Sequence, residues 1–173
     1  MTPPQPKSPP PPIRVAVLTV SDRSARGERA DKSGPALNHL LEESLAAVVV
    51  DSAIVPDESA AIRSQILAWC DGSPAPDLIV TTGGTGLSPR DITPEAVSEL
   101  LQRHHPQLLE LARRRTGENF PRAYLSRGVA GTRGRTLILT LPGSPKGAVE
   151  TLTALLDVLP HAIQTLRGED SHG

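Results

Sequence analysis

Apolar residues crowd four short stretches of this chain, at 13–20, 46–55, 77–81 and 135–141. Each is rich in Val, Ile, Leu or Thr and too continuous to leave one face polar, the pattern of strands buried on both sides of a sheet. Between them the apolar positions recur at helical spacing. Leu37, Leu40 and Leu41 predict the inner stripe of a helix running from Ser33 or Gly34 to about Ser44, with Pro35 in its first turn. Ile62, Ile66, Trp69 and Cys70 mark a second helix, which follows Pro56-Asp57-Glu58-Ser59 and stops at Asp71-Gly72-Ser73-Pro74. Thr93 as N-cap and Pro94 in the first turn predict a third, through about Arg103. Another follows Pro106, with Leu108, Leu111 and Ala112 inward. Val149, Leu152, Leu155, Leu156 and Leu159 stripe a helix after Pro142-Gly143-Ser144-Pro145, and a last short one covers 160–167. Residues 117–135 read as irregular, with a short strand near 123–126.

Alternating strands and helices predict an α/β fold whose largely parallel sheet is covered on both faces. Such sheets bind ligands beyond the C-terminal ends of their strands. Four loops qualify, after Val20, Val55, Val80 and Leu141, and all four carry polar or glycine chemistry.

Composition narrows the classes. A chain of 173 residues with 38% hydrophobic and 21% charged residues fits one domain with a real core. A net charge of −1 advertises no nucleic-acid surface, and Trp69, Phe120 and Tyr124 are too few aromatics for a base-stacking platform. Cys70 is the sole cysteine, so neither an internal disulfide nor a cysteine metal site forms, and its helical spacing reads as core. No run reaches membrane-spanning length and no signal-like apolar segment opens the chain, so a cytoplasmic protein is expected. Residues 1–12 read as a flexible proline-rich tail, 13–168 as a single domain and 169–173 as a disordered tail.

The densest chemistry follows residue 80. Thr81-Thr82-Gly83-Gly84-Thr85-Gly86 leads to Arg90-Asp91 and then Thr93-Pro94-Glu95. Glycines let backbone N–H groups face an anion closely, and Asp91 puts a carboxylate at the rim. The loop lacks the Gly-Lys-Ser/Thr ending of a Walker loop and the third glycine of the dinucleotide fingerprint, so a plain strand-to-helix turn stays open beside ligand binding. Asp57 precedes a helix and reads either as its N-cap or as a second carboxylate at the same rim. Two carboxylates on adjacent strand-end loops suit a magnesium–triphosphate complex, because magnesium prefers hard oxygen ligands. Ser144-Pro145 reads as N-cap plus first-turn proline, with Lys146 adding charge beside helix N–H groups that suit a phosphate; a plain capped helix is the alternative. Arg23, Arg90, Lys146 and Arg127 are candidate cationic clamps, while Ser21-Asp22-Arg23 also admits a solvated turn. The five histidines show no metal-ligand spacing, and no nucleophile elbow is present.

Taken in order, Val-Leu-Thr-Val-Ser-Asp-Arg at 17–23, Asp-Lys-Ser-Gly-Pro at 31–35, Val-Pro-Asp-Glu at 55–58, Thr-Gly-Gly-Thr-Gly at 82–86 with Arg90-Asp91 and Thr-Pro-Glu-Ala at 93–96, Leu-Ser-Arg at 125–127 with Gly131, and Leu-Pro-Gly-Ser-Pro at 141–145 form a specific series. The chain resembles, over about 13–168, the molybdopterin adenylyltransferases of the MogA/MoaB family, also seen as the G domain of gephyrin-like proteins. The resemblance implies a three-layer α/β sandwich with a mostly parallel central sheet, assembled as a homotrimer. It implies transfer of AMP from MgATP to the terminal phosphate of molybdopterin, with pyrophosphate released, and hand-off of the product to the molybdenum insertion enzyme. Asp57 and Asp91 match the family's catalytic aspartates and are its implied magnesium ligands. Thr82, Gly83, Gly84, Thr85 and Gly86, with Pro142, Gly143, Ser144 and Pro145, match the loops lining the pterin and nucleotide pocket, joined by Ser21, Asp22 and Ser33. The chain departs from many relatives at Pro106-Gln-Leu-Leu-Glu110, where they carry Pro-Gly-Phe-Gly-Glu, and in its proline-rich start. A paralogue that binds molybdopterin without transferring AMP is the alternative, and a scaffold working through the trimer and the tail is a third reading.

Overall fold

The computed structural model describes residues 9–169, so the expectations for residues 1–8 and 170–173 lie outside the described residues. In chain order the elements are β1 (Arg14–Val20), α1 (Asp22–Ala25), α2 (Ser33–Leu45), β2 (Val48–Val55), α3 (Ser59–Cys70), β3 (Leu78–Thr82), α4 (Thr93–Ser98), β4 (Arg103–His104), α5 (Gln107–Gly117), a 3-10 turn (Pro121–Leu125), β5 (Ala130–Arg133), β6 (Thr136–Leu141), α6 (Pro145–Thr153) and α7 (Leu159–Arg167). They build one sheet in the order β2-β1-β3-β6-β5-β4. The first four strands of that order run parallel, and β5 and β4 add an antiparallel edge.

Period-two alternation sorts the strand residues into two cores. Val15, Val17, Val80 and Leu139 face α2, α5, α6 and α7, meeting Leu37, Leu41, Ala112, Leu152 and Ile163. Ala16, Leu18, Ile79 and Ile138 face α3 and α4, meeting Ile62, Ile66, Trp69 and Val97. The result is the three-layer α/β sandwich that the pattern and the resemblance both pointed to. Leu108 and Leu109, where the chain departs from the family pattern, are buried in the first core. Cys70 is half-buried against the second, and burial pushes its thiol up from the ordinary value.

Four local expectations need correction. The helix after Pro142-Gly143-Ser144-Pro145 ends at Thr153; Leu155 and Leu156 lie in the turn that follows, and Leu159 opens α7. The helix opened by Pro94 ends at Ser98, not near Arg103. Tighter bonds from Leu100 N–H to Val97 and from Leu101 N–H to Ser98 end it, and both leucines turn into the core. Arg103–His104 instead pairs with β5. Thr93 is not the N-cap; Ile92 holds that position, and the buried Thr93 hydroxyl has no partner among the described residues. Residues 121–125 form the 3-10 turn, opened by Pro121, with Tyr124 and Leu125 exposed, and the nearby strand lies at 130–133.

Candidate active site

The crossovers from β1 and β3 leave in opposite directions, β1 to β2 on one side and β3 toward β6 on the other, so a crevice opens where the strand order reverses. Ladder contacts carry past the strand ends and draw their loops together. Ser21 N–H donates to Val55 O at 2.9 Å, and Gly83 N–H donates to Leu141 O at 3.2 Å.

The glycine loop packs at backbone distance against its neighbours. Gly83 has φ +104°, and a Cβ there would collide with the carbonyl oxygen of Val20. Gly84 has φ +65°; a Cβ there would run into Thr93 Oγ1 and lie 3.1 Å from Asp57 Oδ1. Both positions need a residue that tolerates positive φ and adds no side chain. Thr82 Oγ1 donates to Pro142 O at 2.7 Å, and Ser33 Oγ donates to Gly143 O at 2.8 Å, tying the loop after β6 to β3 and to the start of α2. Ser144 caps α6, its Oγ accepting from Gly147 N–H at 3.1 Å, with Pro145 in the first turn as the sequence predicts.

Two adjoining cavities result. The first, about 370 Å³, is lined by Ser21, Ser33, Asp57, Thr82, Gly83, Gly84, Asp91, Gly143, Ser144 and Pro145 among the expected residues. The second, about 540 Å³, adds Thr85, Gly86 and Pro142, and its wall includes Phe120 and Leu125. Gly84, Asp91, Gly143 and Ser144 border both. Asp57 and Asp91 thus share one hollow.

Asp22, also expected here, lines neither cavity and stands behind Asp57. Its N–H donates to Asp57 Oδ2 at 2.9 Å, and its own Oδ1 accepts Asp57 N–H at 2.9 Å. Asp57 is therefore no helix cap; Glu58 takes that position, without a side-chain bond. Arg90 donates to Asp22 Oδ2 through Nε at 3.1 Å and Nη2 at 2.6 Å. That pairing, then the Asp57 N–H, holds the Asp22 carboxyl below its ordinary value. Asp57 is pushed up, first by burial and then by the charges of Asp22 and Asp91. Asp91 Oδ2 accepts Ser88 N–H at 3.1 Å, which folds the loop back on itself.

This donor set fits a hard divalent cation. The carboxylates crowd one another, and Arg90 hydrogen-bonds to Asp22 while its charge offsets only part of what raises Asp57. Among the described residues no group of three or more His, Cys, Asp or Glu converges to hold a metal. A magnesium ion here would therefore complete its shell with phosphate oxygens and water, its ordinary habit.

The other expected cations are committed elsewhere or line neither cavity. Arg127 donates to Gly86 O at 2.8 Å and Asp91 O at 2.6 Å and pairs with Glu95, bracing the glycine loop. Lys146 lies 5.5 Å from the centroid of the Phe120 ring, and Arg23 lines neither cavity. Asp31 stands in one of the matched motifs but was given no role by the sequence; it takes Thr19 Oγ1 at 2.7 Å and the N–H groups of Ser33 and Gly34 at 3.0 Å, fixing the start of α2 in the cavity wall. Its place two residues before a Ser-Gly-Pro helix start was the available signal. Lys32 of the same motif was likewise given no role, and Arg29 on that wall was missed.

Strand-end loops that wrap a carboxylate-bearing, glycine-lined crevice define an α/β protein built for a phosphorylated ligand. Comparison with known proteins narrows the class. A family model described as "Probable molybdopterin binding domain" matches residues 16–161. The chain is 40% identical over 157 residues to a molybdopterin adenylyltransferase of Helicobacter pylori, covering 90% of this chain and 89% of that one. It is 41% identical over 158 residues to the molybdenum cofactor synthesis protein cinnamon of Drosophila melanogaster, covering 91% of this chain but only 26% of that protein's length. Among solved structures, the molybdopterin biosynthesis enzyme MoaB of Thermus thermophilus superposes with a TM-score of 0.85 at 52% identity, covering 90% of this chain and 97% of the other. The chain belongs to the molybdopterin-binding domain family.

Proposed function

We propose that this chain is a molybdopterin adenylyltransferase, moving AMP from ATP to the terminal phosphate of molybdopterin. The names of full-length relatives at 34–40% identity support the reading. The observation that carries it is the shared cavity of Asp57 and Asp91 beneath the glycine loop, opening into a second hollow walled by Phe120 and Leu125.

In the reaction an oxygen of the pterin's terminal phosphate attacks the α-phosphorus of ATP. The bond from that phosphorus to the oxygen bridging the β-phosphorus breaks, and pyrophosphate leaves with its electron pair. Two anions must be brought together, so catalysis rests on positioning and charge neutralisation. In this reading Asp57 and Asp91 hold magnesium, which when bound neutralises phosphate charge. Backbone N–H groups of residues 84–86, with those of Gly143, Ser144 and Lys146, hold phosphate oxygens. The second cavity receives a flat ring system, against Phe120 and the aliphatic wall. The reading also carries a homotrimer, a cytoplasmic location and hand-off of the adenylylated pterin to a molybdenum insertion enzyme.

The direct test mixes purified protein with molybdopterin, ATP and magnesium and follows adenylylated pterin and pyrophosphate. Both should accumulate together. Pterin binding with no pyrophosphate release makes the chain a non-catalytic binding protein instead.

A further inference from the structure

Arg29 and Lys32 are the uncommitted cations of the first cavity. Both line it, and among the described residues neither side chain makes a hydrogen bond or ion pair. Their neighbours are engaged. Arg26 pairs with Glu28 at 2.8 Å, Arg90 with Asp22, and Arg127 with Glu95 and two carbonyls of the glycine loop.

The segment bearing them is fixed at its far end. Asp31, lying between them, is held by Thr19 Oγ1 from β1 and by the first N–H groups of α2. Lys32 is the residue preceding the first turn of that helix, so its charge emerges where the helix dipole is positive. Because Asp31 already accepts the N–H groups of Ser33 and Gly34, that helix start has little left to offer an anion. Side-chain cations must supply the attraction there.

The charge balance of the cavity calls for them. Its lining carries Asp31, Asp57 and Asp91, and those carboxylates oppose a phosphate ligand unless cations answer both. In adenylyl transfer the most densely charged species is the departing pyrophosphate, which a single divalent ion neutralises only in part. Resting on the adenylyl-transfer reading, we infer that Arg29 and Lys32 hold the β- and γ-phosphate oxygens of ATP and then the released pyrophosphate. An arginine presents a planar fork to phosphate and a lysine a mobile point charge, so the pair clamps a group that changes shape as it leaves.

The test is calorimetric binding of magnesium pyrophosphate, ATP and AMP to wild type, Arg29→Ala, Lys32→Ala and the double variant. Arg26→Ala, a neighbouring cation already paired with Glu28, is the control. Pyrophosphate and ATP binding should weaken about tenfold in each single variant. AMP binding and melting temperature should not move, and Arg26→Ala should bind as wild type. Arg29→Lys and Lys32→Arg should restore part of the loss. If folded Arg29→Ala and Lys32→Ala bind ATP and pyrophosphate as wild type does, or lose AMP binding to the same extent, the assignment is overturned while adenylyl transfer stands. If wild type binds no ATP, both fall together.

Discussion

Asp22 and Asp57 each accept the other's backbone N–H, both at 2.9 Å, so the loops after β1 and β2 close on one another through a pair of reciprocal bonds. The exchange uses one oxygen of each carboxylate. Arg90 takes the other oxygen of Asp22, which leaves Oδ1 of Asp57, 3.1 Å from where a Gly84 Cβ would stand, on the cavity side of the clasp. Asp22 therefore acts through Asp57.

Asp22→Ala removes the acceptor for Asp57 N–H and the partner of Arg90. Turnover should fall roughly 10- to 100-fold, the usual cost of losing a group that orients a ligating carboxylate. The melting temperature should fall only modestly, because the Arg90 pairing is exposed and one part-buried N–H bond is lost. Steady-state kinetics beside thermal melts of the same preparation separate the two effects.

Asp91→Asn keeps an oxygen able to accept Ser88 N–H, so the loop should fold as before. The charge is lost where both cavities meet. Formation of adenylylated pterin should drop by roughly 100-fold or more, the scale of losing a preorganised electrostatic group. An unchanged rate in a folded Asp91→Asn protein would remove Asp91 from the chemistry.

At the opposite end of the sheet, Arg167 donates to Asp77 through Nε at 2.9 Å and Nη2 at 2.7 Å, and Arg14 N–H donates to the same carboxylate at 2.8 Å. Arg167 also holds the carbonyls of Pro11 and Pro12, joining the chain's start to its last helix. Burial pushes the Asp77 carboxyl up, but the Arg167 fork and the Arg14 N–H outweigh it and hold it below its ordinary value. A depressed carboxyl stabilises the fold above its unfolded pKa, and the benefit is lost as pH falls through the folded one. Asp77→Asn should cost about 2 kcal/mol at neutral pH, or roughly 4–8 °C in melting temperature. The gap between variant and wild type should stay level from neutral pH down toward about 4 and shrink below it. Denaturant melts across that range check the sign.

Thr81 lies fully buried in the middle of β3, and its hydroxyl has no partner among the described residues. Burying an unpaired hydroxyl costs on the order of 1 kcal/mol or more. Thr81→Val should therefore stabilise the protein by about 1 kcal/mol in chemical denaturation, with activity retained. A loss of stability would mean that the hydroxyl has a partner after all.

The four parallel strands, the helix stripes and the glycine loop could all be read from residues near one another in the chain. Val15 and Val17 on one face and Ala16 and Leu18 on the other obey a period of two, and Leu37 and Leu41 sit one turn apart. Such periods record which face is buried, and burial of an apolar face is what forms the element. The antiparallel edge left no such trace. Ala130-Gly131-Thr132-Arg133 has little strand character, and β4 exists because Gln102 N–H and His105 N–H find carbonyls of β5. The early end of α4 has the same cause. In the site, sequence order named the loops but not their partners. Whether Asp57 caps its own helix or clasps Asp22, whether Arg127 meets a ligand or braces Gly86, and whether Arg29 and Lys32 reach the cavity at all were settled by contacts between distant stretches of chain. A local pattern reports a residue's own burial and backbone preference. Which charge or N–H stands opposite it is a property of the packed chain, and that pairing is what makes the crevice a site.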